Sequence, residues 1–179
     1  MKQKNNITSD YVRLVLDYNP VTDVFTWRKR PDSHFKTKRS FNTWNARFSN
    51  RIAGSTRHDG YRAIIINNRK YFHHRLVWLI TTGEWPVNEI DHKDGNPSNN
   101  SWVNLREVTH AQNMKNRKST KNKSGWKGVT WNPSNKKWHA RITVNGKVFS
   151  IGLYNCPTAV HFAYCRVAKE KFGEFARVA

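Results

Sequence analysis

Acidic side chains are what this sequence has least of: Asp and Glu number 12 against 32 Lys and Arg, a formal net charge of +20 over 179 residues. From Thr109 to Lys169 there is no carboxylate side chain at all. An imbalance of that size excludes a cationic partner and points to a polyanion. Long apolar runs are missing too. No stretch approaches the roughly 20 apolar residues of a membrane span, and no basic amphipathic helix dominates, so the expected polyanion is nucleic acid and no membrane partner is expected. The opening MKQKNNITSD lacks the apolar segment of a secretory signal, which makes the cytoplasm of the expressing cell the expected location. Cysteine is nearly absent: Cys156 and Cys165 form no C-x-x-C pair, so they offer no Cys-ligated zinc site and are expected to stay reduced.

What is there concentrates between Glu89 and Asn113, EIDHKDGNPSNNSWVNLREVTHAQN. Asp91 and His92 stand side by side at the end of a short apolar-flanked run. The loop DGNPSNN follows, in which Asn and Asp bond their own backbone and Gly95 tolerates positive φ. Leu105 to Val108 then reads as a second strand, and Thr109 starts a capped helix. Two strands joined by such a loop and followed by that helix are expected to bring Asp91, His92 and Asn113 together across a cleft. One carboxylate and one amide carbonyl are hard oxygen donors that leave most of an octahedral shell to water and a phosphate oxygen, so Mg²⁺ is the expected ion, with Mn²⁺ able to replace it. A neutral imidazole suits proton abstraction from water at neutral pH. Taken alone, an Asp-His pair beside a polar loop is equally a hairpin turn with a satisfied histidine.

Four ordered strings narrow the choice: HRLVW (His74 to Trp78), DHKDGN (Asp91 to Asn96), NLREVT (Asn104 to Thr109) and QN (Gln112, Asn113). In this order they resemble the HNH endonucleases, most closely the phage-type homing endonucleases with Asn in the third motif position. The resemblance implies a β-β-α-metal core, with Asp91 binding a divalent metal, His92 activating water, Asn104 pinning the loop and Asn113 completing the metal site. Two roles are open to His74: orienting the site from behind, or a structural place at a helix start.

Upstream, Ser9 or Asp10 can cap a short helix carrying Tyr11, Val12, Val15 and Leu16 at helical spacing. Asp17 to Asp23 reads as a turn and Val24 to Trp27 as a strand. Arg28 to Arg51 reads as a basic loop with Phe35, Phe41, Trp44 and Phe48 between cations, either an arm on the nucleic-acid backbone or a surface loop tucking its aromatics inward. Tyr61 to Phe72 reads as a hairpin turning at Asn67-Asn68, and His74 to Ile80 as a helix stopped by Gly83 and Pro86.

Past a basic, polar linker, Gly125 to the C-terminus reads as strands at Trp126 to Trp131, Lys137 to Thr143 and Lys147 to Leu153, with a hairpin at Asn145-Gly146. A helix starts at Pro157 and carries Val160, Ala163, Tyr164 and Val167 on one stripe. The strings GWKGVTW, KWHARI, NGK and IGLY in this unit resemble the Apetala-type, ethylene-response-factor DNA-binding domain, which implies a sheet that enters the major groove. Thr130, Asn132 and Ser150 stand where that family often has Arg or Trp.

The expectation is therefore an α+β chain: an HNH nuclease domain over 1–114 with its core at 61–114, a linker over 115–124, and an Apetala-type domain over 125–179. That domain is expected to be a three-stranded antiparallel sheet with one packed helix. Double-stranded DNA is the expected partner, met by Lys115, Arg117, Lys118, Lys121, Lys123, Lys127, Thr130, Asn132, Lys136, His139, Arg141, Thr143 and Lys147, and a monomer is the default. The alternative is a non-catalytic DNA-binding regulator on a decayed nuclease fold.

Overall fold

The computed structural model describes residues 7–116 and 124–176 and divides the chain into two compact units, Met1–Val108 and Thr109–Ala179. Arg117, Lys118, Lys121 and Lys123 lie outside the described residues.

The first unit begins with helix α1 (Ser9–Val15), capped by the Thr8 hydroxyl, which accepts from the Tyr11 amide at 3.2 Å. Val12 and Val15 are wholly buried, and Leu16 leaves the helix as the first residue of strand β1 (Leu16–Asn19). β1 pairs antiparallel with β2 (Val24–Trp27), so the segment expected to be all turn contributes a strand. The connection closes at Asp23, whose φ of 53° is tolerable because a short polar side chain can bond locally.

Helix α2 (Lys38–Phe48) corrects the loop expected there. The Thr37 and Ser40 side chains form a reciprocal capping box. Phe41, Trp44 and Phe48 recur three and four residues apart on one side. Trp44 and Phe48 pack against the core while the helix's cations stay outside, so of the two readings of the aromatics the inward one holds for these two.

A three-stranded antiparallel sheet follows, in the order β3 (Ser55–Thr56), β4 (Arg62–Ile66), β5 (Arg69–Phe72). Asn67 and Asn68 turn the β4–β5 hairpin at φ 49° and 61°, the double left-handed geometry that asparagine tolerates. β4 sends Ile64 and Ile66 into the core, both fully buried, each worth about 1.5–3 kcal/mol of removed apolar surface. Against them packs helix α3 (His73–Thr82), burying Leu76, Val77, Leu79 and Ile80 and ending at Gly83, where φ is 85°. Strands β6 (Glu89–His92) and β7 (Leu105–Val108) form a separate antiparallel ribbon in which Asp91 stands opposite Arg106 and His92 opposite Leu105.

The second unit opens with helix α4 (His110–Asn116). Thr109 and Gln112 cap it reciprocally: the Thr109 amide donates to Gln112 Oε1 at 2.8 Å and the Gln112 amide to Thr109 Oγ1 at 3.3 Å. Then come β8 (Val129–Asn132), β9 (Lys137–Val144) and β10 (Lys147–Tyr154), an antiparallel sheet with β9 in the middle. Helix α5 (Pro157–Phe172) lies on one face, with Val160, Tyr164, Ala168 and Phe172 buried against Val129, Ala140 and Ile142. Gly128 is required where it stands. Its φ is 72°, and a Cβ there would lie 2.2 Å from Tyr164 Cε2. Among the described residues the architecture is thus mixed α and β, with small antiparallel sheets and five α-helices.

Candidate active site

Strand β6 delivers Asp91 and His92 next to each other and buries both, at 6 % and 4 % exposure. Charged groups are rarely taken so far out of water unless paired. Asp91 has its cation in Arg106, directly across the ribbon: Nε donates to Asp91 Oδ2 at 2.9 Å and Nη2 lies 2.8 Å from the same oxygen. The pair fixes the orientation of the carboxylate.

His92 is enclosed by rings. His74 meets it edge to face at 5.2 Å between centroids and Tyr61 at 5.8 Å. Burial, then the nearby His92 and Arg75, pushes the His74 imidazole down to about 3, so His74 is neutral across the physiological range. His92 Nε2 lies 3.1 Å from Asn100 Oδ1.

Between β6 and β7 the loop is knotted by side chains. Asn104 Oδ1 accepts from the Asp94 amide at 3.1 Å, while its Nδ2 donates to Asp94 Oδ1 at 3.0 Å and to the Asn99 carbonyl at 2.7 Å. Asp94 also accepts from the Asn96 amide and from Asn99 Nδ2 at 2.8 and 2.7 Å. Partial burial pushes the Asp94 carboxyl up, yet these donors outweigh it and leave it below the usual range. The short polar residues that looked like turn chemistry therefore make a rigid frame around His92.

Asp91, His92, Asn104 and His74 are thus gathered in the first unit. Asn113 and Lys115 lie on α4 in the second. There, Thr130 and Asn132 on β8 and His139, Arg141 and Thr143 on β9 share the sheet face away from α5, as the register Thr130↔His139 and Asn132↔Lys137 requires. On that face Arg141 Nη2 donates to Thr130 Oγ1 at 3.2 Å and His139 Nε2 lies 2.8 Å from Ser150 Oγ. Lys147 pairs with Val144 and falls on the other face, while Lys127 precedes β8 and Lys136 sits in the β8–β9 turn at φ 48°.

Two residues of the site were not visible as such in the sequence. Asn100 looked like one more loop asparagine, and Asp23 like a turn residue far upstream; the structure puts Asn100 against His92 and Asp23 against Asn100. A sequence signal exists only in hindsight: in a chain this poor in carboxylates, an Asp inside the first hairpin stands out.

Residues 71–115 match the HNH endonuclease family. The chain is 36% identical over 106 residues to Protein 3.8 of Escherichia phage T7, an alignment spanning 58% of this chain and 87% of that protein. The chain carries an HNH endonuclease domain at residues 71–115. An uncharacterized HNH endonuclease of Acanthamoeba polyphaga mimivirus is also 36% identical, over 107 residues, which cover 54% of its own length. No solved structure matches the chain. The HNH match starts at Tyr71 in β5 and so takes in His74, Asp91, His92, Asn104 and Asn113, while Asp23 lies outside it. The HNH domain points to nuclease activity on DNA. No helix among the described residues is long and apolar enough to cross a membrane.

HNH nucleases typically use a divalent metal, and the donor chemistry here bears on which kind fits. Among the described residues no cluster of three or more His, Cys, Asp or Glu side chains is placed to hold an ion. The Asp91 carboxylate, held by Arg106, is an oxygen donor of the kind that hard divalent cations take.

Proposed function

We propose that this chain is a Mg²⁺-dependent, site-specific DNA endonuclease of the homing type, with Mn²⁺ able to substitute, that hydrolyses phosphodiester bonds. The observation that carries the reading is the pair Asp91–His92, buried side by side on β6, with the carboxylate held by Arg106 and the imidazole held by Asn100. Groups held this rigidly are what a preorganised catalytic site needs. In the proposed mechanism His92 takes the proton from the attacking water, Asp91 and Asn113 are the metal's protein ligands, and Asn104 keeps the loop in shape. The chemistry such an ion supplies is neutralisation of the charge that develops on the phosphate and the leaving oxygen. His74, neutral and packed edge to face on His92, restricts the base's ring from behind.

The second unit is assigned the task of holding duplex DNA, by analogy with the Apetala-type sheet. What supports this is the face carrying Thr130, Asn132, His139, Arg141 and Thr143, in a stretch with no acidic side chain from Thr109 to Lys169. The cations at Lys115, Lys127 and Lys136 are assigned to phosphates, whose neutralisation supplies most sequence-independent affinity, whereas Lys147, on the face turned to α5, is not counted with them.

Incubating supercoiled plasmid with the protein, with and without Mg²⁺, tests the reading. Nicked or linear product is expected only with the ion. His92→Ala should lower the rate by about 10²–10⁴-fold with DNA binding nearly intact, as loss of a positioned base does. Wild-type turnover in that variant would remove His92 from the mechanism.

A further inference from the structure

The side chain of Asn100 is wholly buried and bonded on both sides. Its Nδ2 faces two acceptors, Asp23 Oδ2 at 3.3 Å and the Ser98 carbonyl at 3.1 Å, and its backbone amide donates to the same Asp23 oxygen at 3.1 Å. Turning the amide over would set its oxygen against two oxygens, so the network fixes which end is which. The end left for His92 Nε2, at 3.1 Å, is the oxygen Oδ1, which can only accept. Nε2 therefore carries the proton, and in the neutral ring the lone pair is on Nδ1.

Asp23 is itself held from the other side. Its Oδ1 lies 3.0 Å from His73 Nε2 and accepts from the Tyr18 hydroxyl at 3.2 Å, and its carbonyl accepts from Arg62 Nη1 at 2.8 Å. His73 is buried to 0 % and packs edge to face on Phe25 at 4.8 Å. Strands β1 and β4 and the start of α3 thus converge on Asp23, whose Oδ2 orients Asn100.

From this geometry we infer that Asp23 and Asn100 are positioning residues for the nuclease reaction. Asp23, contributed from outside the HNH-matched segment, orients the Asn100 amide, and Asn100 fixes His92 in the tautomer that leaves Nδ1 as the base. The inference deepens the proposed nuclease reading and rests on it for the meaning of His92, but its direct readout is independent of cleavage. An acid, an amide and an imidazole in series perform the task that a carboxylate performs alone when it fixes the tautomer of a catalytic histidine.

Nitrogen-15 spectroscopy of the full chain labelled in histidine, at pH 8.5 and without metal, tests it. In the wild type His92 should be protonated at Nε2. Asn100→Ala and Asp23→Asn should each give a mixture of tautomers or the Nδ1-protonated form, whereas Tyr18→Phe, which removes only the far bond to Asp23, should keep the wild-type signature. Cleavage at saturating Mg²⁺ should fall roughly ten- to hundredfold in kcat for Asn100→Ala, a part of what a positioned base supplies, with KM for DNA within about twofold because no DNA-binding group is lost. A wild-type His92 protonated at Nδ1 overturns the inference even if no variant folds, and so does an unchanged tautomer in folded Asn100→Ala. A wild type that shows the Nε2-protonated ring yet cleaves no DNA supports the positioning network and counts against the nuclease reading alone.

Discussion

Replacing Arg106 by Met takes the cation away from Asp91 while keeping an apolar side chain of similar length on β7. Both partners are shielded, with side-chain exposures of 10 % and 7 %, so solvent screens little of what is lost. Breaking a buried pair by removing one member typically destabilises by about 3–5 kcal/mol, because the remaining charge is left uncompensated. Against a urea slope of roughly 1–3 kcal/mol per molar, the unfolding midpoint of Arg106→Met should move down by at least about 1 M. The double variant Arg106→Met/Asp91→Asn removes the charge and should recover most of that loss, since well-packed neutral replacements of buried pairs are often tolerated. Mg²⁺ should raise the midpoint of the single variant more than that of the wild type; an ion at a hundred times its Kd contributes about 2.7 kcal/mol. Urea unfolding followed by circular dichroism, for all three proteins with and without Mg²⁺, gives the comparison. A single variant within about 1 kcal/mol of wild type, or a double variant as unstable as the single, would refute the view that the pair is held by mutual charge.

Two further outcomes bear on the second unit. Gly128→Ala combines a left-handed φ with a clash on Tyr164 and should destabilise by roughly 2–5 kcal/mol; Gly146→Ala, also at positive φ but with nothing within 4 Å, should cost only the backbone part, about 1–2 kcal/mol, and equal losses in thermal unfolding would contradict the steric account. Arg141→Ala should weaken binding to a preferred site by about 1–3 kcal/mol and relax discrimination at one base pair if the guanidinium reads guanine; binding isotherms on preferred and scrambled DNA at several salt concentrations check this, and equal losses on both would leave Arg141 a phosphate contact, with the salt slope reduced by about 0.9.

How much of this was legible depended on how local each determinant is. The Asn67-Asn68 and Asn145-Gly146 hairpins, the Gly83 helix stop and the alternation of Trp138, Ala140 and Ile142 are each written within a dozen residues, and each is found in the fold. Helix α2 escaped because its inward stripe is aromatic and its remaining surface basic, so the helical spacing of Phe41, Trp44 and Phe48 looked like cations alternating with rings. Asp91 and His92 drew notice by their adjacency before a polar loop, and Asn104 only through the order of the motif strings that resemble the HNH endonucleases. The bond from Asp23 to Asn100 could not be read in either way, because no pattern within either segment announces a partner so far along the chain.

That separation has a consequence in time. Asp23 and Asn100 are 77 positions apart, and at a synthesis rate of roughly 5–20 residues per second the loop leaves the ribosome some 4–15 s after the first hairpin. During that interval β1, β2 and Asp23 are available but their counterpart does not yet exist. Contacts with so large a loop to close are also the slow ones in folding. The contact that orients Asn100 therefore cannot form until the chain has been made as far as the loop, and an incomplete chain carries the Asp-His pair before it carries the means to aim it.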